Sequence, residues 1–479
     1  MRLFDGTLLE GELTTTTLPY KHQTEALERF RDRAYGALFL EQGLGKSKIA
    51  IDIAVAKFLT GEITGVLVIS PKSLIDNWAL IEIPKHCTSV GYMVQPWRQK
   101  PMVFAKGEEL SWFVANVDAV IRENWAAAFR LFYKAHPKFM LVIDESTTVK
   151  TPNVQRTQRM MQVADYAKAR FILSGAPITN SPLDIWAQAE IMQPGIWGSN
   201  FFMFKQRYAV TEKVTMYVPG GRERTFTKIS GYQKLDELTE KIKTFAVIAK
   251  KADCLDLPPK IYRQVPVEFT TEQAKHYNNL KNLALTQIDD QRITAVNAVS
   301  LINSLLQICA GQLKLPDETY SYLETNRVEL LTDILDESPE KGLIWCSFIG
   351  AADAIEKALG ARVMRIRAET PPEDRQSTLD EYERAEGTPA LLLNQASMGK
   401  GLTILEGRNM VYYSQRFSVE QRVQSEDRPH RIGQTKSILI SELYTPGTVE
   451  EKVINVLRTN RALANRIITD RTTLREFIA

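Results

Sequence analysis

Short runs of apolar and β-branched residues alternate with longer stretches of helical period along this chain. Ala37–Leu40, Val66–Ile69, Met140–Ile143 and Phe171–Leu173 read as strands, and Lys46–Leu59 between the first two reads as a helix. The alternation returns at Leu343–Cys346, Val363–Ile366, Ala390–Leu393, Met410–Tyr413 and Ile438–Leu443. Strands that are apolar at every position need cover on both faces, which is the condition of a parallel sheet flanked by helices. Two such series predict an α/β chain with two lobes.

The segment between the series, roughly Asp184 to Lys260, has a different texture. It holds aromatic-rich helical pieces and a polar hairpin candidate at Tyr217-Val218-Pro219-Gly220-Gly221-Arg222. Leu257-Pro258-Pro259-Lys260 marks a boundary, because paired prolines continue neither a helix nor a central strand. Thr271 to Gln312 reads as a second, mainly helical insertion. The expected organisation is a first lobe at about 1–255 with a helical insertion at about 184–250, and a second at about 256–479 with one at about 271–320.

Composition narrows the class without naming a chemistry. The 479 residues are 44% hydrophobic and 24% charged, which suits a globular protein and excludes a disordered one. The net charge of +3 decides nothing about nucleic acid, because a basic groove can coexist with an acidic outer surface. Cys87, Cys254, Cys309 and Cys346 form no C-x-x-C pair, so reduced thiols are expected and zinc is not. Met1–Thr17 lacks the basic and apolar regions of a secretory leader, and no apolar run has the length of a membrane span. The expected compartment is therefore the cytoplasm, nucleoid-associated, or the host cytoplasm if the protein is phage-encoded.

Two local patterns carry phosphate chemistry. The strand ending at Leu40 runs into Glu41-Gln42-Gly43-Leu44-Gly45-Lys46-Ser47 and then a helix. Gly43 and Gly45 allow a tight turn whose N–H groups face phosphate oxygens, and the helix N-terminus adds positive charge there. Lys46 would meet the β- and γ-phosphates of a nucleotide, and Ser47 would hold Mg²⁺. The full phosphate-loop pattern has a glycine where Leu40 stands. The strand Phe139–Ile143 ends in Asp144-Glu145, at the sheet edge where ligands of open α/β sheets bind. Asp144 would bind Mg²⁺, and Glu145 would orient and deprotonate a water.

The most specific string is Gln424-Ser425-Glu426-Asp427-Arg428-Pro429-His430-Arg431-Ile432-Gly433-Gln434. Arg428 and Arg431 are three apart, so on a helical turn they project to one side, each able to grip a phosphoryl group in two-pronged fashion. A guanidinium acting this way can raise turnover by roughly 10³–10⁵.

That string resembles motif VI of Swi/Snf-type ATPases of helicase superfamily 2, and the family's other motifs follow in order. Leu18-Pro19-Tyr20-Lys21-His22-Gln23 resembles the adenine-reading segment, with Tyr20 and Gln23 at its contact positions. Gln42-Gly43-Leu44-Gly45-Lys46-Ser47 resembles motif I. Val68-Ile69-Ser70-Pro71-Lys72-Ser73-Leu74-Ile75-Asp76-Asn77-Trp78 resembles motif Ia, and Asp144-Glu145-Ser146-Thr147 resembles motif II. Leu173-Ser174-Gly175-Ala176-Pro177-Ile178-Thr179-Asn180 resembles motif III. Lys341–Phe348 resembles motif IV, and Ser397-Met398-Gly399-Lys400-Gly401-Leu402-Thr403 resembles motif V. The likeness runs from about residue 18 to 455. Four departures stand out: Glu41-Gln42 before Gly43, Thr147 in place of histidine, Ala176 in place of threonine, and Thr403 in place of asparagine.

The resemblance implies two RecA-like lobes with parallel sheets around an interlobe cleft. It implies ATP and Mg²⁺ as cofactors. Lys46, Asp144, Glu145, Gln424, Arg428 and Arg431 would carry hydrolysis. Duplex or branched DNA is the implied partner, bound by a monomer. Its candidate contacts are Ser70, Pro71, Lys72, Asn116, Ser347, Ala396, Ser397 and Gly399, with Asp118 beside Asn116. Hydroxyls, backbone N–H groups and Lys72 suit phosphate contacts, which position without reading sequence. The expected activity is ATP-driven translocation or remodelling on DNA. An ATP-switched DNA binder with weak motor activity and an RNA helicase are the alternatives. The dispersed tryptophans are expected in the core, and Lys250-Lys251 in a solvated turn.

Overall fold

The computed structural model describes residues 17–97, 102, 104, 108–179, 181–198, 200–218, 222–289, 295–315, 319–395, 404–459 and 471–479. The chain divides into two compact units, Met1–Asp256 and Leu257–Ala479.

Among the described residues, the strands of the first unit are β1 (Tyr35–Leu40), β2 (Gly65–Ser70), β3 (Tyr92–Pro96), β4 (Leu110–Asn116), β5 (Phe139–Ile143), β6 (Ala169–Leu173), β7 (Ala209–Val218), β8 (Arg222–Tyr232) and β9 (Ala246–Ala249). Seven of them make one sheet in the order β3-β4-β2-β5-β6-β1-β9, parallel throughout. β2, β4 and β5 are buried at every position, as their unbroken apolar runs require. Two apolar clusters pack on the sheet's faces, one holding Phe113, Trp125, Phe132 and Ile143, the other Phe30, Ile51, Val68, Trp78 and Val142. Each such buried side chain contributes about 1.5–3 kcal/mol of transfer free energy. The helix Lys46–Leu59 is apolar on nearly every side and lies almost wholly buried in the second cluster.

The region expected as a helical insertion is mixed. Helices Ile185–Met192, Phe201–Tyr208 and Leu235–Phe245 surround a long antiparallel hairpin of β7 and β8, and β9 then joins the main sheet beside β1. The strand pairing explains the difference: Thr211 and Thr227 have β-branched side chains that favour extended backbone. The proposed hairpin turn at Pro219-Gly220-Gly221 lies outside the described residues.

The second unit has β10 (Lys260–Pro266), β11 (Gln312–Lys314), β12 (Tyr320–Tyr322), β13 (Gly342–Trp345), β14 (Val363–Ile366), β15 (Ala390–Leu393), β16 (Asn409–Tyr412) and β17 (Ile438–Tyr444). Six form a parallel sheet in the order β10-β17-β16-β13-β15-β14. Helices Thr271–Asp289 and Ala295–Cys309 fill the second expected insertion. The sheet order puts the carboxyl ends of β13 and β15 side by side. In the first unit it orders the loops after β4, β2, β5, β6 and β1 along one carboxyl edge.

Candidate nucleotide site and its surroundings

The loop after β1 is shaped by two left-handed glycines, Gly43 at φ 84° and Gly45 at φ 79°. Gly45 caps the helix Lys46–Leu59. A Cβ at Gly45 would sit 2.3 Å from Gln23 Nε2, so a side chain here strains the backbone and displaces the Gln23 amide. Gln23 is buried, accepts from the Tyr20 amide through Oε1 (3.1 Å) and donates through Nε2 to Leu44 O (3.1 Å). His22 Nε2 meets the same carbonyl at 2.9 Å. Gln23 thus braces the loop it was expected to serve as an adenine reader. The Lys46 ammonium donates to Leu40 O (2.9 Å) and Glu41 O (3.4 Å). Glu41 ties the loop to the end of β9: its amide donates to Ala249 O, and its carboxylate accepts from the Lys251 amide at 2.8 Å. Lys250 is exposed as expected, whereas Lys251 is buried, which corrects the expected solvated turn at that residue.

Asp144 follows β5 and is buried. Its Oδ2 accepts from the Trp78 indole N–H at 2.8 Å, and its Oδ1 from the Glu145 amide at 3.0 Å. Burial raises the Asp144 pKa above the ordinary carboxylate value, while the Trp78 bond and the Lys46 charge pull the other way. Glu145 holds a left-handed backbone, φ 52° and ψ 59°, which costs a non-glycine residue on the order of 1–3 kcal/mol and clusters at functional positions. The next residue is anchored. Ser146 Oγ donates to Gln188 Oε1 at 2.6 Å, and Gln188 Nε2 donates to Pro177 O and Asp184 O, both at 2.7 Å. Lys150 reaches Thr179 Oγ1 and Asp184 Oδ2, and the same carboxylate oxygen accepts from the Thr179 amide and hydroxyl. The loops after β5 and β6 are therefore one bonded assembly. Nothing in the residue pattern singled out Gln188 or Asp184. Trp78 lies in the segment that resembles motif Ia, where its residue type predicts only a core side chain.

In the second unit, the helix Val419–Glu426 ends before the arginines, and Asp427 to Ile432 form turns. Arg428 and Arg431 therefore do not share a helical turn, a correction that Pro429 explains by disfavouring helical backbone at Arg428. Arg428 is buried and Arg431 half-buried. Gln424 is buried and donates to Glu420 Oε1 at 2.9 Å. Gln434 closes the turn by donating to Leu405 O and Pro429 O. His430 Nε2 meets Pro258 O at 2.9 Å. Glu426 accepts from Arg422 Nε (2.6 Å), Lys260 Nζ (2.8 Å) and Tyr262 OH (2.8 Å), which locks the helix to β10.

The SNF2-related domain family matches residues 22–313, more than half of the chain. The chain belongs to the SNF2-related family. The helicase conserved C-terminal domain matches residues 326–433. The chain is 24% identical to YwqA of Bacillus subtilis, over 95% of this chain and 49% of that protein. It is 24% identical to protein CHROMATIN REMODELING 24 of Arabidopsis thaliana, over 93% of this chain and 47% of that one. It is 22% identical to ATP-dependent helicase fft1 of Schizosaccharomyces pombe, over 92% and 52%. The chain thus spans about half the length of these relatives. Among solved structures, the Sulfolobus solfataricus SWI2/SNF2 ATPase core in complex with dsDNA aligns at 22% identity and TM-score 0.43, covering 96% of this chain and 95% of that one.

The side chains expected to touch DNA in this SNF2-related chain divide by exposure. Lys72 is exposed and Pro71 half-buried, and Asp118 is exposed on the turn after β4. Ser70, Ser347 and Asn116, which ends β4, are buried. Ser347 Oγ is bonded to Gln395 Oε1 at 2.8 Å, and Ser70 Oγ to Pro71 O at 3.3 Å. These hydroxyls are committed inside the fold, a correction to their expected role as surface contacts. Ala396, Ser397, Gly399 and Thr403 lie outside the described residues. Trp78, Trp112, Trp125, Trp186 and Trp197 are all buried, as expected of core residues. The four cysteines are free thiols, and the described residues hold no cluster of metal-ligating side chains. No described helix is long and apolar enough to cross a membrane.

Proposed function

We propose that this chain is a DNA-dependent ATPase that couples ATP hydrolysis to movement along double-stranded or branched DNA, or to remodelling of DNA and its bound proteins. The observation that carries the reading is the carboxyl edge of the first sheet. There the glycine-shaped Lys46 loop and the Asp144-Glu145 pair follow strands separated only by β6, close enough for the Lys46 charge to act on Asp144. In this reading the N–H groups of Gln42 to Ser47 and the Lys46 ammonium hold the phosphates. Tyr20 and Gln23 flank the base. Glu145, held in its strained backbone, orients the attacking water and takes its proton. Arg428 and Arg431 supply charge to the transferring phosphoryl group, and Gln424 helps to position it.

The residues present suit Mg²⁺. Asp144 is a buried carboxylate whose charge burial disfavours, a condition that a cation relieves, and Ser47 adds a second hard oxygen. Mg²⁺, when bound, neutralises charge between phosphate oxygens. Lys72 and neighbouring backbone amides would contact the DNA backbone without reading sequence. The chain would act as a monomer on DNA in the cytoplasm.

The test is steady-state ATP turnover with duplex DNA, single-stranded DNA and RNA. Stimulation mainly by duplex is expected. Lys46→Ala, Glu145→Gln and Arg431→Ala should each remove most of it while leaving the thermal transition in place. Tight ATP-dependent DNA binding with negligible turnover would replace the motor with a switch, and stimulation by RNA alone would replace the substrate.

A further inference from the structure

We infer that Trp78 is a positioning residue that ties the Ser70–Pro71–Lys72 loop to the Asp144 carboxylate, so that a duplex held at that loop is sensed at the Mg²⁺-binding oxygens. This rests on the function proposed above and assigns the route by which DNA acts on hydrolysis within the first unit.

The geometry is specific. Trp78 is fully buried, and its indole N–H donates to Asp144 Oδ2 at 2.8 Å. The other oxygen, Oδ1, accepts from the Glu145 amide, a donor that travels with Asp144 itself. Among the described residues, Trp78 is thus the side-chain donor from another segment that sets the plane of this carboxylate. That segment begins at the loop whose exposed Lys72 is proposed above to contact DNA. β2 ends at Ser70, Lys72–Leu74 make one tight turn, and Asn77–Glu82 then adopt a π-helical turn. π-turns are rare, occur frequently at functional sites, and rotate side chains away from an α-helical register. Here the turn carries Trp78.

The loop and the tryptophan are also mechanically joined. Leu74 and Trp78 share one apolar cluster with Val68 of β2 and Val142 of β5. The Asp144 amide donates to Ile69 O, one residue before Ser70. Close-packed interiors transmit displacement rather than absorb it, so a shift at Lys72 is delivered through Leu74 to the indole and hence to Asp144 Oδ2. A tryptophan that only filled space would tolerate loss of its N–H. A donor that orients a metal-binding carboxylate would not, because such outer partners typically govern about 10–100-fold in metal affinity.

The experiment uses the whole chain and Trp78→Phe, which keeps an aromatic ring and removes the donor. Binding of a fluorescent ATP analogue is titrated with Mg²⁺ without turnover, with and without a DNA duplex. The half-saturating Mg²⁺ concentration is expected to rise about tenfold in Trp78→Phe, with Mg²⁺-free nucleotide affinity unchanged. Duplex should shift the Mg²⁺ requirement of the unmutated protein and leave that of the variant alone. Equal Mg²⁺ dependence and equal duplex response in both proteins would overturn the inference. An unmutated protein whose Mg²⁺ requirement ignores bound duplex would also overturn it, whereas one that binds no nucleotide or no duplex would overturn the proposed function. If Trp78→Phe loses its thermal transition, the readout moves to the Trp78 indole ¹H–¹⁵N resonance in the unmutated chain. It should shift on adding duplex without nucleotide, and an unmoved resonance sinks the idea.

Discussion

Ser146 and Gln188 are both fully buried and joined by a 2.6 Å hydrogen bond from the serine hydroxyl to the glutamine amide oxygen. The amide's two N–H groups are used as well, on Pro177 O and Asp184 O. One side chain therefore fixes the residue after Glu145 against the loop after β6. A buried amide with all three bonds made has one orientation, and it transmits that orientation to its partners.

Gln188→Leu should expose this dependence. It keeps the volume but leaves the buried Ser146 hydroxyl unpaired, which costs about 1–3 kcal/mol, and frees two part-buried carbonyls at a smaller cost. The thermal midpoint should fall, and kcat should fall further than nucleotide affinity. A variant with unchanged kcat and lowered stability would restrict Gln188 to a packing role.

Gly45 offers a contrast with a second left-handed glycine. A side chain there meets Gln23 Nε2 at 2.3 Å, whereas Gly61, at φ 71°, has nothing within 4 Å of its would-be Cβ. Both alanine substitutions carry a backbone cost of about 1–2 kcal/mol. Only Gly45→Ala should also abolish nucleotide binding, measured by equilibrium titration, because it displaces the brace that Gln23 makes to Leu44. Comparable binding by the two variants would remove Gln23 from the loop's support.

Glu426 gives a pH prediction. Burial works to raise its pKa, but Arg422 and Lys260 outweigh burial and hold it at about 2. A carboxylate whose folded pKa lies below its unfolded value contributes stability above the unfolded pKa and loses it as pH falls through the folded one. Glu426→Gln should therefore destabilise the chain by about 3 kcal/mol at neutral pH. That difference should shrink between roughly pH 4.5 and 2. Denaturation midpoints of both proteins across this range check it, and a pH-independent difference would show that the ion cluster is not its source.

Lys72 is the exposed cation of the loop after β2. Lys72→Ala should weaken duplex binding uniformly across sequences and lower the slope of log affinity against log salt by about 1. An unchanged slope in a salt titration would take Lys72 off the phosphate backbone.

Periodicity made much of the fold legible. The helix Lys46–Leu59 and the strands Val363–Ile366 and Ala390–Leu393 have the boundaries their patterns imply. Central strands of a parallel sheet must be apolar throughout, so they announce themselves. Edges are less uniform: β14 stands out as Val363–Ile366 at one edge of the second sheet, whereas the edge strands β3, β9 and β10 are partly exposed along much of their length and do not stand out in the pattern. β4 carries a readable run, Leu110-Ser111-Trp112-Phe113-Val114-Ala115, that is absent from the predicted strands, and Asn116 ends it.

The same division runs through the candidate site. Order along the chain determined which strands end in chemistry: glycines and a lysine after β1, two carboxylates after β5, arginines after the helix Val419–Glu426. Those assignments depend on local backbone needs and on residue types, and both are written in neighbouring positions. Which partners each group has was decided only by tertiary structure. Trp78 meets Asp144 across 66 positions and Gln188 meets Ser146 across 42. Ser70 and Ser347 are sealed inside the fold although their motifs suggested open loops. Hydrogen bonds between distant segments and burial at strand ends depend on how sheets stack their loops, and no local pattern encodes that.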